Sequence, residues 1–231
     1  AEASQLLQAP ADTLRSTVPN IQQLSGPGRQ VLAGAVAVLC YACVHGQGQS
    51  LPAIRLLGNL VLHAPLVAAL LACNDVALAA LLALLEQSIC TAVQKEATLL
   101  LANIAAVSGP PREALGQHPG VLGAVCGLLG SPREEVRRMA GFAAYNLLLA
   151  AGDNAGSLAA AAAPVFLKLL QVHDDDEGAT TALHFYRHVA CRRLVPSALD
   201  AAAETIGRLA AGQGGVAEMA RAVVHGAGAA P

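Results

Sequence analysis

Between residues 64 and 106 the chain passes through three apolar stretches parted by short polar breaks: "APLVAALLACND", "VALAALLALLEQS" and "CTAVQKEATLLLANIAA". The first two predict short helices joined at "CND", and the third predicts a longer helix. That third helix contains one awkward residue. Asn103 sits near its end, although asparagine side chains compete for backbone hydrogen bonds and disfavour helix interiors.

Asn103 has counterparts. "AIRLLGNLV" carries Asn59 and "AGFAAYNLLLA" carries Asn146, at intervals of 44 and 43 residues. Self-similarity at this period predicts an α-solenoid of two- to three-helix units, each too small to bury its apolar face alone. The text after Asn103 has the same outline: a breaker-rich turn with a short helix in "VSGPPREALGQHPG", an apolar helix in "VLGAVCGLLG", and a long helix in "SPREEVRRMAGFAAYNLLLAAG". Ser131 as N-cap, Pro132 at the first helical position, and Glu134 and Glu135 in the first turn predict where that long helix opens.

A further unit is expected in "SLAAAAAPVFLKLLQV" and "ATTALHFYRHVACRR", with His188 at the position of the asparagine. The acidic stretch "HDDDE", residues 173–177, is expected to be a solvated inter-helix loop, with docking of a basic partner as the lesser reading. Residues 194–231 are expected to hold degenerate or capping helices and a tail, because solenoids need polar ends. Upstream, "VLAGAVAVLCYACVHG" resembles the end of a unit with Tyr41 in the asparagine position. Tyr41 nevertheless lies only 18 residues before Asn59. Either two helices were lost, or residues are missing from this sequence near 46–51; the second is preferred. The expected organisation is a flank over 1–30, four to five repeat units over 31–193, and the capping region.

At these residues the sequence resembles the armadillo repeats of importin-alpha, the adaptor family that carries nuclear-localisation peptides. "VLAGAVAVLCYACVHG" is similar to that family's helix ending before an Asp-Gly turn, "LPAIRLLGNLV" to its Gly-Asn-Ile helix, and "VQKEATLLLANIAA" to its Lys-Glu-Ala helix ending in Asn-Ile. The resemblance implies an all-α, armadillo-type α-solenoid, a right-handed superhelix whose third helices line a concave groove. There an asparagine reads the backbone of an extended peptide, and a tryptophan one turn earlier clamps a Lys or Arg.

Carried over, the peptide-binding positions are Arg55 with Asn59, Glu96 and Leu99 with Asn103, and Phe142 with Asn146. Arg55 keeps the family's own residue, whereas Leu99 and Phe142 replace tryptophan. Met139 stands where an acid is expected, and Ala37 precedes Tyr41 in place of a tryptophan. The amides persist while the cation-reading layer is largely gone, which argues against tight recognition of a basic peptide. A less basic extended segment stays open, as does the alternative that the asparagines only bridge neighbouring helices.

Composition narrows the picture. Of the 231 residues, 55% are hydrophobic and 13% charged, with 3% aromatics and no tryptophan, so the apolar mass is Ala and Leu, which favour helix. A net charge of −2 gives no footprint for nucleic acid. Asn74 and Asp75 interrupt the most membrane-like stretch, residues 64–85, so no membrane span is expected. No basic segment leads into an apolar run, so no secretory signal is expected.

Six cysteines in a chain of this length fit a reducing compartment better than a disulfide framework. Cys40 and Cys43 have the Cys-x-x-Cys spacing but fall late in an apolar helix, so buried thiols are expected there rather than a redox or zinc site. His184, His188 and Cys191 share a helical stripe without the glutamate of a metalloprotease motif, so surface or groove-lining histidines are expected rather than a metal site. Glycines are expected at helix ends and turns. No phosphate-binding or nucleophile motif occurs, so neither an enzyme nor a cofactor is expected.

Two functions follow as expectations. One is an adaptor, cytoplasmic or nuclear, that binds a protein partner or extended peptide in its groove, with nuclear transport implied by the resemblance. The other is a non-catalytic structural subunit of a larger complex, ciliary (axonemal) or organellar, which low charge favours.

Overall fold

The computed structural model describes residues 50–63, 65–73, 75–86, 90–172 and 176–228. Ala37, Cys40, Tyr41, Cys43, the N-terminal flank and residues 46–49 of the stretch near 46–51 lie outside the described residues. Among those described there are eleven α-helices, a short 3-10 turn and no strand. Two compact units divide the chain, residues 1–150 and 151–231.

In the first unit the helices are α1 (Ser50–His63), α2 (Pro65–Ala72), α3 (Asp75–Glu86), α4 (Thr91–Ala106), α5 (Pro110–Gln117), α6 (Pro119–Leu129) and α7 (Glu134–Leu148). The asparagine-bearing helices α1, α4 and α7 pack in sequence, α4 against both α1 and α7. Their apolar residues explain why. Ala97, Leu100, Leu101, Ile104 and Ala105 of α4 are buried at 3- and 4-residue spacing, and Val136, Ala140, Ala143, Ala144 and Leu147 of α7 repeat the pattern. Small residues on these stripes let the helices approach closely.

The turns are built from specific residues. Gly109 takes a φ of +87°, a conformation that L side chains rarely adopt, and Pro110 opens α5 directly after it. Arg112 then reaches back over the end of α4, donating from Nε to the Ala105 carbonyl at 2.8 Å and from Nη2 to the Ala106 carbonyl at 2.7 Å. Two of the carbonyls left over at that helix end are thus satisfied by a cation, which also suits the negative end of the helix dipole. Gly116 answers to space. A Cβ there would lie 3.0 Å from the backbone of Ala150, a tight contact that the close approach of the chain after α7 leaves little room to relieve.

Two expectations need correction. The helix expected to open at Ser131-Pro132 starts at Glu134, with Arg133 in the N-cap position and no side-chain cap. The Ser131 hydroxyl instead accepts from the Arg133 N–H at 3.3 Å, forming a local turn ahead of the helix. Glu134 and Glu135 do occupy the first turn. Nor are glycines confined to ends and turns. Gly58, Gly123 and Gly127 lie inside helices, and positive φ angles among glycines are found at Gly109, Gly152 and Gly214 of the described residues.

The second unit comprises α8 (Ala155–Gln171), α9 (Asp176–Arg192), α10 (Pro196–Ala210) and α11 (Gly215–Gly228). The acidic stretch therefore divides: residues 173–175 lie outside the described residues, and Asp176 begins α9. Phe166 of α8 stacks on Phe185 of α9, ring centroids 4.1 Å apart, and Tyr186 meets Phe185 edge-on at 5.2 Å. All three side chains are fully buried. The Tyr186 hydroxyl donates to the Ala163 carbonyl at 3.0 Å, so the phenol enters the core with its polar end satisfied. Burial pushes its pKa far above the ordinary tyrosine value.

Candidate functional site

Arg55, Asn59, Glu96, Leu99 and Asn103 come together. With Leu62 and others they line one cavity of about 370 Å³ between α1 and α4. Spacings of four residues put Arg55 below Asn59 and Leu99 below Asn103 on neighbouring helices. Gly58 forms part of this cavity's wall, and Asn103 Nδ2 lies 3.9 Å from where a Gly58 Cβ would be. That is ordinary van der Waals contact, and Gly58 is inside α1. Gly58→Ala is therefore expected to stabilise the protein by about 0.5–1 kcal/mol, because alanine lowers the backbone entropy of the unfolded chain. A urea midpoint that falls would refute this.

The charged members are already matched. Arg55 Nε donates to Glu96 Oε1 at 3.0 Å, and Nη2 approaches the same oxygen at 3.0 Å. The Glu96 side chain retains 18% exposure and Arg55 59%, so the carboxylate is sheltered beneath an exposed guanidinium. On the next helix pair Lys95 Nζ lies 2.8 Å from Glu135 Oε2.

Phe142 and Asn146, on α7, do not line that cavity. The guanidinium carbon of Arg138 lies over the Phe142 ring, 5.8 Å from its centroid. Asn146 Nδ2 donates to the Ala102 carbonyl of α4 at 3.2 Å. At this rung the asparagine bridges neighbouring helices. Asn59 and Asn103 differ, since their amides make no hydrogen bond with any described residue.

Sequence reasoning missed Arg138, although its four-residue spacing to Phe142 is a local signal. It also missed Gln94. Gln94 is 7% exposed, yet its Nε2 donates to the Leu85 carbonyl at 2.9 Å and its Oε1 accepts from Arg133 Nη1 at 3.1 Å. A second cavity, of about 520 Å³, lies beside this amide, where α3 ends and the α6–α7 turn passes.

His188, expected from the sequence at the position of the asparagines, lies in the second unit. It is half-buried, and its Nε2 is buried without a hydrogen-bond partner. Burial, and then the charge of Arg192, hold its pKa below the ordinary 6.5. The unfolded chain therefore takes up this proton first as pH falls. Stability from His188 is complete above the unfolded value and is lost as pH drops from about 6.5 toward the lowered folded value. His188→Asn should flatten the decline in Tm between about pH 7 and about pH 5, and an unchanged slope would contradict the assignment. No cluster of three or more metal-ligating side chains occurs among the described residues. Nor is any single described helix long and apolar enough to cross a membrane.

No protein-family model matches the chain, and no curated protein is similar to it in sequence. Solved structures match it in fold. A designed armadillo repeat protein in complex with the peptide (KR)4 matches with a TM-score of 0.71 and 22% identity over 98% of this chain and 98% of that one. Computationally designed armadillo repeat proteins for modular peptide recognition match equally, at 0.71 and 22% over 97% of both chains. The fold is an armadillo-type α-solenoid. A third designed armadillo repeat protein agrees, with a TM-score of 0.68 and 23% identity over 98% of each chain.

Proposed function

We propose that the chain is a non-catalytic repeat scaffold that binds an extended segment of a protein partner along the face made by α1, α4 and α7. One observation carries the reading: the amides of Asn59 and Asn103, on adjacent repeats, flank a cavity and are not spent on the described protein itself. An asparagine amide donates to a peptide carbonyl and accepts from a peptide N–H at once, so two of them read a backbone irrespective of its side chains. The peptide complex of a designed armadillo repeat protein supports this use of the fold. So does the likeness of these helices to importin-alpha, with which an adaptor role would agree.

A second reading is a permanent structural subunit of a larger assembly. The hydrogen bond from Asn146 to Ala102 favours it, because there the asparagine holds two repeats together.

Display of random peptides against the purified chain separates the two. An adaptor enriches extended peptides whose affinity falls about 10- to 100-fold in the Asn59→Ala/Asn103→Ala double variant, given the usual net value of two to four hydrogen bonds. No enrichment, together with a native complex that survives high salt, would establish the structural subunit instead.

A further inference from the structure

A groove that reads basic peptides must offer unpaired acids or open aromatic faces to the incoming cations. This face offers them already occupied. The Glu96 carboxylate holds Arg55 through two contacts of 3.0 Å, the Phe142 ring lies under Arg138, and Glu135 is paired with Lys95. Between the two free amides the wall is otherwise aliphatic: Ile54, Leu62, Leu99 and Leu100 line the cavity, and Leu62 is 60% exposed at its rim.

From this pairing we propose that the pocket between Asn59 and Asn103 takes an aliphatic side chain from an extended, uncharged segment. The inference rests on the reading of this face as a peptide groove. The protein's own arginines fill the places that a basic ligand would otherwise claim. A lysine entering the pocket would be desolvated without a free counter-charge, and an acidic side chain would meet the carboxylate of Glu96. A leucine side chain meets neither cost and covers exposed apolar surface. Charge complementarity therefore selects against both signs.

The test uses three fluorescent octapeptides of alternating Leu-Ser, Lys-Ser and Glu-Ser, titrated with the full chain and followed by anisotropy. The Leu-Ser peptide is expected to bind at least about tenfold tighter than either charged peptide, the scale on which one well-buried side chain discriminates. Its affinity should fall about tenfold or more in Asn59→Ala/Asn103→Ala. Arg55→Ala leaves Glu96 unpaired and should raise Lys-Ser affinity about tenfold; Arg55→Gln, which keeps most of the stem, should do the same, with helicity checked by circular dichroism.

Equal or tighter binding of the Lys-Ser or Glu-Ser peptide to the native chain would overturn the aliphatic preference and leave the groove in place. No gain of Lys-Ser binding in either folded Arg55 variant would overturn the role assigned to the ion pair. Absence of binding by all three peptides, or binding indifferent to the two asparagines, would overturn the groove and the inference with it.

Discussion

Phe166→Ala is expected to cost about 3–5 kcal/mol of stability, the range for removing a fully buried phenylalanine. The ring has no exposed surface, and its face lies 4.1 Å from that of Phe185. With aromatics scarce, this stack of Phe166, Phe185 and Tyr186 is the bulkiest part of the second unit's core, the remainder being largely Ala, Leu and Val. Alanine would leave a cavity against the face of the Phe185 ring, and the cost grows with the part of it that the surrounding core does not fill. Against a usual total of about 5–15 kcal/mol, the loss is a large share. Urea denaturation followed by far-ultraviolet circular dichroism checks it. A change below about 1 kcal/mol would mean that the aromatic cluster is not a principal source of stability. Phe166→Leu, which keeps most of the volume, should recover much of the loss.

Gln94→Met is expected to cost about 1–3 kcal/mol without removing side-chain volume, the range for a buried group, here the Leu85 carbonyl, left without its partner. The Leu85 carbonyl falls in the last turn of α3, where helix carbonyls have no partner of their own, and Gln94 Nε2 supplies one at 2.9 Å. The other end of the same amide accepts from Arg133, just ahead of α7. One buried side chain thus ties α3, α4 and the turn before α7. Methionine matches glutamine in length and flexibility but makes neither bond. A stability within about 0.5 kcal/mol of the native chain would show that the two bonds contribute little beyond shape. Gln94→Glu is a useful companion, because it keeps the Arg133 contact and loses the donor to Leu85.

The repeat was legible because it follows from burial. Each unit must turn one stripe of α1, α4 or α7 toward its neighbours, so Asn59, Asn103 and Asn146 return at nearly constant spacing beside similar apolar text. The partners of those residues were not legible. Arg55 and Glu96 are 41 residues apart, and Asn146 reaches a backbone carbonyl 44 residues away, which carries no signature in side-chain identity. The displaced start of α7 has a local cause: a serine hydroxyl can cap a helix or close a turn, and Ser131 closes the turn. Gly116 reflects the approach of a distant backbone, which only a structure reveals. The cation over Phe142 is the exception, since Arg138 stands four residues before it in plain view.

The pairing of Glu96 with Arg55 and of Glu135 with Lys95 also bears on how fast a partner could arrive. Charges neutralised within a few ångströms cast little field beyond the Debye length, about 8 Å at physiological salt. A segment approaching this face would be neither steered nor repelled at long range, and its association should proceed at the unsteered rate of about 10⁵–10⁶ M⁻¹s⁻¹ with a shallow dependence on ionic strength. Selectivity would then reside in how long a segment stays rather than in how quickly it is found.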